Sequence, residues 1–490
     1  MDQTEQSGRK RLRRIARWAM VQRGLLADFS PEIMAEVGAI HESPAMPDAS
    51  IRDMRGMPWV SIDNDDSRDL DQLSVAENLP NGEARLFVAV ADVDCLVRAS
   101  SATDGHARVN TTSVYTVAEI FPMLPERLST DLTSLNEDQD RLAMVVEMTL
   151  TADGKVRDSS VYRAIVKNTA KLAYNGVADW LEGAAEPPRR LAGSPLLQEQ
   201  VQLQDRVAQM LRAWRFRKGA LGLKTEEALP IFDGDILTGL AEKRQTRADE
   251  LIEDVMVAAN RVVTKFLESK GYPTLRRILR SPERWERIVQ LAKSLGENLS
   301  AEASPEALAG FLERRRVADP EHFEDLSFSV VKLLGRGEYA LALPGQKVDG
   351  HFGLAIRRYS HATAPNRRFP DLITQRLLKA ALAGKPAPYS NEELSEMARQ
   401  CTEQENNANK VERQVRKSAA ALLLEHRLGE VFDATVTGAA AKGTWVGIRN
   451  PRVEGRLTGD ASGLDVGDAV RVKLVKVDVE NGYIDFARGR

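Results

Sequence analysis

Cysteine is nearly absent: Cys95 and Cys401 are the only two in 490 residues, far apart and in no Cys-x-x-Cys pair. That excludes a disulfide framework and a thiolate zinc site, and makes a reducing cytosol the expected setting. Long apolar runs are also missing. The stretch from Leu12 to Leu26 is interrupted by Arg13, Arg14, Arg17, Gln22 and Arg23, so it is neither a secretory h-region nor a membrane span. A soluble, unexported, cytoplasmic chain is expected. Nor is one sign of charge in surplus. The 68 Lys and Arg against 71 Asp and Glu leave a formal charge of -3, so a nucleic-acid partner has to be read from local patches. No internal repeat or low-complexity tract occurs. The 43% hydrophobic and 28% charged residues are ordinary globular composition, and the length suggests about three domains.

Against that background one segment stands out, Ser61 to Gln72, which packs Asp63, Asp65, Asp66, Asp69 and Asp71 into a short stretch. Two readings stay open for it: a solvated acidic loop, or carboxylates gathered by a cation. In an extended segment Asp69 and Asp71 fall on one side, and Asp63 can fold back to meet them. Oxygen-only ligands suit magnesium or manganese. An EF-hand is excluded, because its sixth position would be Arg68 instead of Gly and its twelfth Ser74 instead of Glu.

The rest of the chain divides by periodicity. Leu12, Ile15, Ala16, Ala19 and Met20 recur at helical spacing with Arg13, Arg14 and Arg17 elsewhere around the turn, an amphipathic basic helix. Ser30-Pro31-Glu32 announces a second helix by an N-cap and a first-turn proline. The pair is either a helix-turn-helix-like arm for a phosphate backbone or a docking hairpin with a wet face. Ala84–Ala91, Ala143–Leu150 and Val156–Val166 are expected strands, and helical patterns dominate from Leu196, including one helix marked by Leu251, Val255, Ala259, Val262 and Phe266 and ended by Gly271. A charged helix is expected from about Glu405 to Leu428. After Gly429 come five short strands, enough for a small Greek-key barrel. The fold class is α+β.

A second constellation, Arg357 to Asp371, holds Arg357, Arg358, Arg367 and Arg368 with Tyr359, His361 and Phe369. It combines bidentate phosphate donors with stacking faces; a plain basic surface is the competing reading. Phosphoryl chemistry requires both halves, cations for phosphate and carboxylates for metal. A third stretch sets Tyr115 before the proline-bounded turn Phe121 to Ser129, where simple packing is the alternative.

Together these motifs resemble the ribonuclease II family, 3′-to-5′ exoribonucleases with an RNB catalytic domain. The resemblance runs from about Trp59 to Arg490. It is carried by Ile62-Asp63 with Asp69-Leu70-Asp71, by Tyr115 and Met123-Leu124-Pro125, by Ile252-Glu253-Asp254 with Ala259-Asn260, and by His361 to Asp371. The terminal barrel resembles an S1 domain. The implied organisation is a helical region over 1–45, an RNB domain with a mixed sheet over 46–428, and an S1 barrel of OB type over 429–490. The implied activity is processive hydrolysis of single-stranded RNA to nucleoside 5′-monophosphates with magnesium, or manganese, by a monomer.

Residue by residue, the resemblance assigns Asp63, Asp69 and Asp71 to metal binding, with Asp69 and Asp71 also catalytic. Arg367 would hold the scissile phosphate and Tyr115 would stack on the terminal base. Arg368, Glu412, Phe432 and Trp445 are RNA-binding candidates, the last two equally open to a core role. Two departures are expected to matter. Gln72 stands where the family has a further aspartate, offering a carbonyl without charge, with Asp65 or Asp66 as the expected substitute; a chain weakened to an RNA-binding protein is the alternative function. The helical segment before Trp59 is too short for the family's cold-shock barrels, so a more open path, admitting structured RNA with a 3′ overhang, is expected.

Overall fold

The computed structural model describes residues 8–41, 50–223, 227–234, 236–243, 245–440, 443–449, 451–459 and 461–489. Its centre is a mixed sheet with the order β1-β8-β2-β3-β4-β7, formed by β1 (Arg52–Asp53), β2 (Trp59–Asp63), β3 (Gln72–Asn78), β4 (Ala84–Ala91), β7 (Asp140–Leu150) and β8 (Val156–Ala173). A separate hairpin, β5 (Val114–Tyr115) with β6 (Ile120–Phe121), lies between β4 and β7 in the chain. The apolar run Ala84–Ala91 is flanked by β3 and β7, and its Val88, Ala89, Val90 and Ala91 are buried without alternation, as a strand covered on both faces requires. β8 runs beyond the expected Val166. Its first part pairs antiparallel with β7 up to Lys167, and its last residues, Asn168 to Ala173, pair parallel with β2. One strand thereby joins both ends of the sheet and fixes the end of β2, where Asp63 sits.

Three helices precede the later sheet strands, α1 (Gly8–Gln22), α2 (Pro31–Gly38) and α3 (Ala102–Asn110). Four more, α4 (Tyr174–Leu181), α5 (Arg189–Ala192), α6 (Pro195–Arg217) and α7 (Arg247–Ser269), follow it. α6 and α7 pack on each other and on the sheet, and Ser74 donates to Gln204 of α6 at 2.7 Å. The helical stretch expected after Leu196 is interrupted twice. β9 (Glu227–Asp233) pairs with β10 (Ile236–Lys243), and β11 (Thr274–Ile278) pairs with β12 (Glu338–Ala342) around α8 (Trp285–Ser294), α9 (Pro305–Ala318) and α10 (Phe323–Leu334). β9 and β10 form a local hairpin, whereas β11 finds β12 only across α8, α9 and α10, a pairing that local periodicity does not encode.

α11 (Phe369–Leu382) is the buried helix of the main domain, and α12 (Asn391–Leu424) is its spine. α12 begins well before the expected Glu405, at a capping box between Ser390 and Glu393. At 34 residues it spans about 50 Å. It touches α1, β5, β12 and the C-terminal barrel. That barrel is closed in the order β13-β14-β15-β17-β16, from β13 (Val431–Ala440), β14 (Gly443–Arg449), β15 (Arg452–Thr458), β16 (Ala469–Asp478) and β17 (Tyr483–Arg488), matching the five strands expected.

The two N-terminal helices do not form one arm. Leu12, Ile15, Ala16, Ala19 and Met20 of α1 enter the cluster that holds the barrel core and α12, whereas Ile33 and Val37 of α2 enter the main-domain core. The cations of α1 are largely consumed inside the molecule. Arg11 pairs with Glu425 and Glu480, Arg14 with Glu480, and Arg17 with Asp28 and Glu119. α1 docks on the barrel and α12, but the expected hairpin with a wet face is not what forms, since the two helices enter different cores and Arg11, Arg14 and Arg17 are paired.

Candidate active site

The acidic segment leaves β2 at Asp63 and re-enters the sheet at Gln72. Its middle is pinned from below: Leu70 is buried, its amide donates to Ser134 Oγ at 2.9 Å, its carbonyl accepts from the Leu135 amide at 2.9 Å, and the Ser134 hydroxyl donates to the Arg68 carbonyl at 2.8 Å. With Leu70 as the peg, the carboxylates on either side have fixed positions. Asp71 lies 2% exposed, and its carbonyl accepts from the Ala91 amide at 2.9 Å, extending the β3–β4 ladder. Asp65 and Asp66 are exposed on the preceding turn. The like charge that bears on Asp69 comes from Asp63. Gln72 is half-buried opposite Val90, and its side chain makes no hydrogen bond among the described residues.

The arginine segment reaches the same place from far along the chain. The Asn366 amide donates to Asp71 Oδ1 at 2.9 Å, and Arg367 Nε donates to Asp71 Oδ2 at 3.2 Å. The segment is itself rigid. Buried Asp371 accepts from the Ala364 amide at 2.9 Å and from Arg368 Nη2 at 2.7 Å, while Asn260 of α7 accepts from the Ala362 amide at 2.8 Å. This explains the Ala259-Asn260 motif: its asparagine holds the arginine loop. Arg367 keeps 40% of its side chain in solvent, whereas Arg368 is turned toward Asp371.

Tyr115 completes the mouth. It is 41% exposed, and its hydroxyl donates to Asp69 Oδ2 at 3.3 Å. Its amide donates to Glu412 Oε1 of α12 at 2.9 Å, so Glu412 reaches the site by holding the backbone of Tyr115. The hairpin that carries Tyr115 is also braced by α1: Arg17 pairs with Glu119 at 2.8 Å, and Phe121 is buried in the cluster that α1 shares with α12. Sequence reasoning missed this brace, and also Ser134 and the Asn366 amide. A basic helix carries no mark of which acid it will meet, and a backbone amide none at all. In the barrel, Phe432 faces inward against Phe486 with ring centroids 6.2 Å apart. Trp445 alternates with the buried Thr444 and Val446 and lies beside Arg456, a half-exposed outer position.

The electrostatics of the site are set by burial. Loss of water pushes the Asp71 carboxyl up to about 7, with Asp69 adding to the rise and Arg367 opposing it. Asp69 is raised for the same first reason, with Arg367 opposing and Asp63 adding. For Arg367, burial works against the charge, yet Asp71, Asp63 and Asp69 hold it firmly protonated. Carboxylates that burial and mutual repulsion drive toward neutrality attract a hard cation, and the all-oxygen donor set fits magnesium or manganese. Among the described residues no three Asp, Glu, His or Cys side chains enclose a single point. Asp63, Asp69 and Asp71 therefore do not form the three-carboxylate set expected for the metal, and magnesium here would draw on one or two of them together with water and substrate phosphate. Because a cation here competes with the Asp71 proton, magnesium binding is expected to tighten as pH rises from about 6 to about 8, with proton release that vanishes above that range. Calorimetry in two buffers of different ionisation enthalpy checks this, and pH-independent binding is the contrary result.

The fold and the site define a nuclease-like class, in which an arginine-braced carboxylate cluster in an α+β domain is joined to a closed five-stranded barrel. The RNB domain matches residues 51–384, and the RNase II-type exonuclease C-terminal S1 domain matches residues 430–489. The chain belongs to the RNB family. It is 32% identical to ribonuclease R of Thermotoga maritima over 94% of its length, covering 68% of that relative, and 31% identical to ribonuclease R of Escherichia coli over 92% of its length, covering 59% of that one. The structure of Mycoplasma genitalium RNase R in complex with ribose methylated single-stranded RNA superposes with a TM-score of 0.86 at 20% identity, covering 97% of this chain and 77% of that one. Among the described residues no helix is long and apolar enough to cross a membrane.

Proposed function

We propose that the chain is a divalent-metal-dependent 3′-to-5′ exoribonuclease that releases nucleoside 5′-monophosphates from single-stranded RNA, and from structured RNA through a 3′ overhang. The observation that carries the reading is Asp71, buried between the Asn366 amide and Arg367 Nε with Tyr115 on the neighbouring Asp69. Membership of the RNB family, the ribonuclease R relatives and the RNA seen in the Mycoplasma protein support it.

The residues suited to hold the cation are Asp63 and Asp69, with Asp71 and Gln72 beside them. Magnesium bound there would supply Lewis acidity, lowering the pKa of a water and stabilising charge on the phosphate. The chain's own residues do the rest. Arg367, fixed by Asp71, aims its free guanidinium N–H groups at the phosphate and strengthens its hold as negative charge builds there. Tyr115, exposed at the mouth and tethered by Glu412, gives the terminal base a stacking face and so selects which phosphodiester is cut.

Digestion of a 5′-labelled single-stranded RNA with magnesium and with chelator tests the reading. Stepwise loss from the 3′ end down to a short labelled core, only with magnesium, is the expected result. Internal cuts would make it an endonuclease. Uncut RNA with a shift on a native gel would make it an RNA-binding protein on a hydrolase fold.

A further inference from the structure

The arginine segment has two ends, and only one of them meets the acidic cluster. Arg367 is at Asp71; Arg358 is exposed on a different face, beyond the turn of α7 where Asn260 accepts from the Ala362 amide and donates to Tyr359. On that face α7 presents Arg261, whose guanidinium lies over the Trp214 ring at 4.5 Å. Burial works against the charge of Arg261, and among the described residues no carboxylate is paired with it. Lys265, one turn further on along the same face of α7, is depressed first by burial and then by Arg261, Arg358 and Lys155, with Glu268 opposing. Glu268 is the acid beside them, and it is shared between Arg276 and Arg358.

The first half of α7 behaves in the opposite way. There Glu250 pairs with Arg212 and Asp254 with Arg215, both at 2.7 Å, so its charges are cancelled. Half-buried Arg261 without a paired carboxylate among the described residues, one turn from Lys265 and beside an Arg358 that must share Glu268 with Arg276, is an arrangement that a bound anion would stabilise. The Arg261–Trp214 stack also holds a guanidinium flat beside an aromatic ring, the pairing that suits a phosphate next to a base. Arg261 and Lys265 follow Asn260 along α7, and Asn260 holds the arginine loop at Ala362, so this face adjoins the loop that carries Arg367 to Asp71.

We propose that Lys155, Arg261, Lys265 and Arg358, with Trp214, form a second RNA-binding surface that takes phosphates of the substrate strand several nucleotides upstream of the 3′ end. This rests on the exoribonuclease reading. The surface binds through backbone charge, independent of sequence, and lengthens the strand held during successive cleavages. Two variants test it, R261Q/K265Q/R358Q and the more exposed pair K155Q/K265Q, which guards against a folding defect at half-buried Arg261.

Fluorescence anisotropy in chelator, over a range of salt, compares RNAs of about 5 and about 25 nucleotides. For the longer RNA the triple variant is expected to lose about tenfold in affinity and to reduce the salt slope by about 2, at roughly 0.7 for each phosphate contact removed. The exposed pair is expected to show a smaller change in the same direction. The short RNA should bind all three proteins alike and, with magnesium, be degraded at the same rate. Unchanged affinity and slope for the longer RNA in both variants would overturn the proposal, and so would equal weakening for both lengths, which would place these cations in the catalytic channel. A wild-type protein that neither binds nor shortens RNA would instead remove the functional reading on which the surface rests.

Discussion

D71N is expected to abolish RNA shortening, by roughly 10³-fold or more, while leaving a folded and, in chelator above neutral pH, more stable protein. The two effects share one cause. The Asp71 carboxyl is raised from 3.8 to about 7 because it is buried, so the folded chain holds a proton that the unfolded chain has already released. Stability from this group is complete below about pH 4 and is lost as pH rises through about 7, a loss of up to about 4 kcal/mol. Asn cannot ionise, so it escapes that penalty while its carbonyl oxygen still accepts from one of the two donors now on Asp71. Thermal unfolding in chelator should show the variant ahead by a few degrees at pH 8, with the gap closing toward pH 5. A variant less stable than wild type at pH 8 would mean that Asp71 is held as a favourable ion pair, and the account of its burial would be wrong.

R367A is expected to lower kcat by about 10²–10³-fold with a much smaller change in KM, because the guanidinium acts most strongly when charge builds on phosphate. R367K should recover only part of that loss, since a lysine cannot donate to Asp71 and phosphate through one planar fork. The stability effect should be modest. Removing the partner of a buried charge is costly in principle, but Arg367 is 40% exposed, and Asp71, already near neutrality, can take up a proton instead. The double variant D71N/R367A is the sharper measurement. If Asp71 serves largely to fix Arg367, the double variant should be little slower than D71N alone, a coupling seen for groups that act as a unit. Fully additive losses in single-turnover assays would show two independent roles.

Much of this was legible in the chain. Ser30 and Pro31 start α2 where a cap and a first-turn proline require it, and Ser30 does accept from the Ile33 amide. The apolar spacing of α1 named five of the six residues that the structure buries there, all but Gly8. The five barrel strands were visible as period-two runs between turns. Boundaries were less secure. The start of α12 at Asn391 and the end of β8 at Ala173 depend on what each element packs against, and α12's polar first turns carry little periodic signal of their own.

The sequence by itself determined which residue types are present at which local spacing: carboxylates two apart before a buried strand, an arginine loop before a buried helix, an aromatic before a proline-bounded turn. Backbone and capping preferences act over a few residues, so such features survive translation into sequence pattern. Tertiary structure alone decided which of those charges meet. Asp71 finds Asn366 and Arg367 from 295 and 296 positions away, and Tyr115 finds Glu412 from 297. The same physics separates Arg11, Arg14 and Arg17 of α1, paired with Glu425, Glu480, Asp28 and Glu119, from Arg261, which has no paired carboxylate among the described residues. A charge reads identically in the sequence whether it ends in water, in an ion pair or buried beside its own kind. Its energy is set by the dielectric and the partners that packing brings to it.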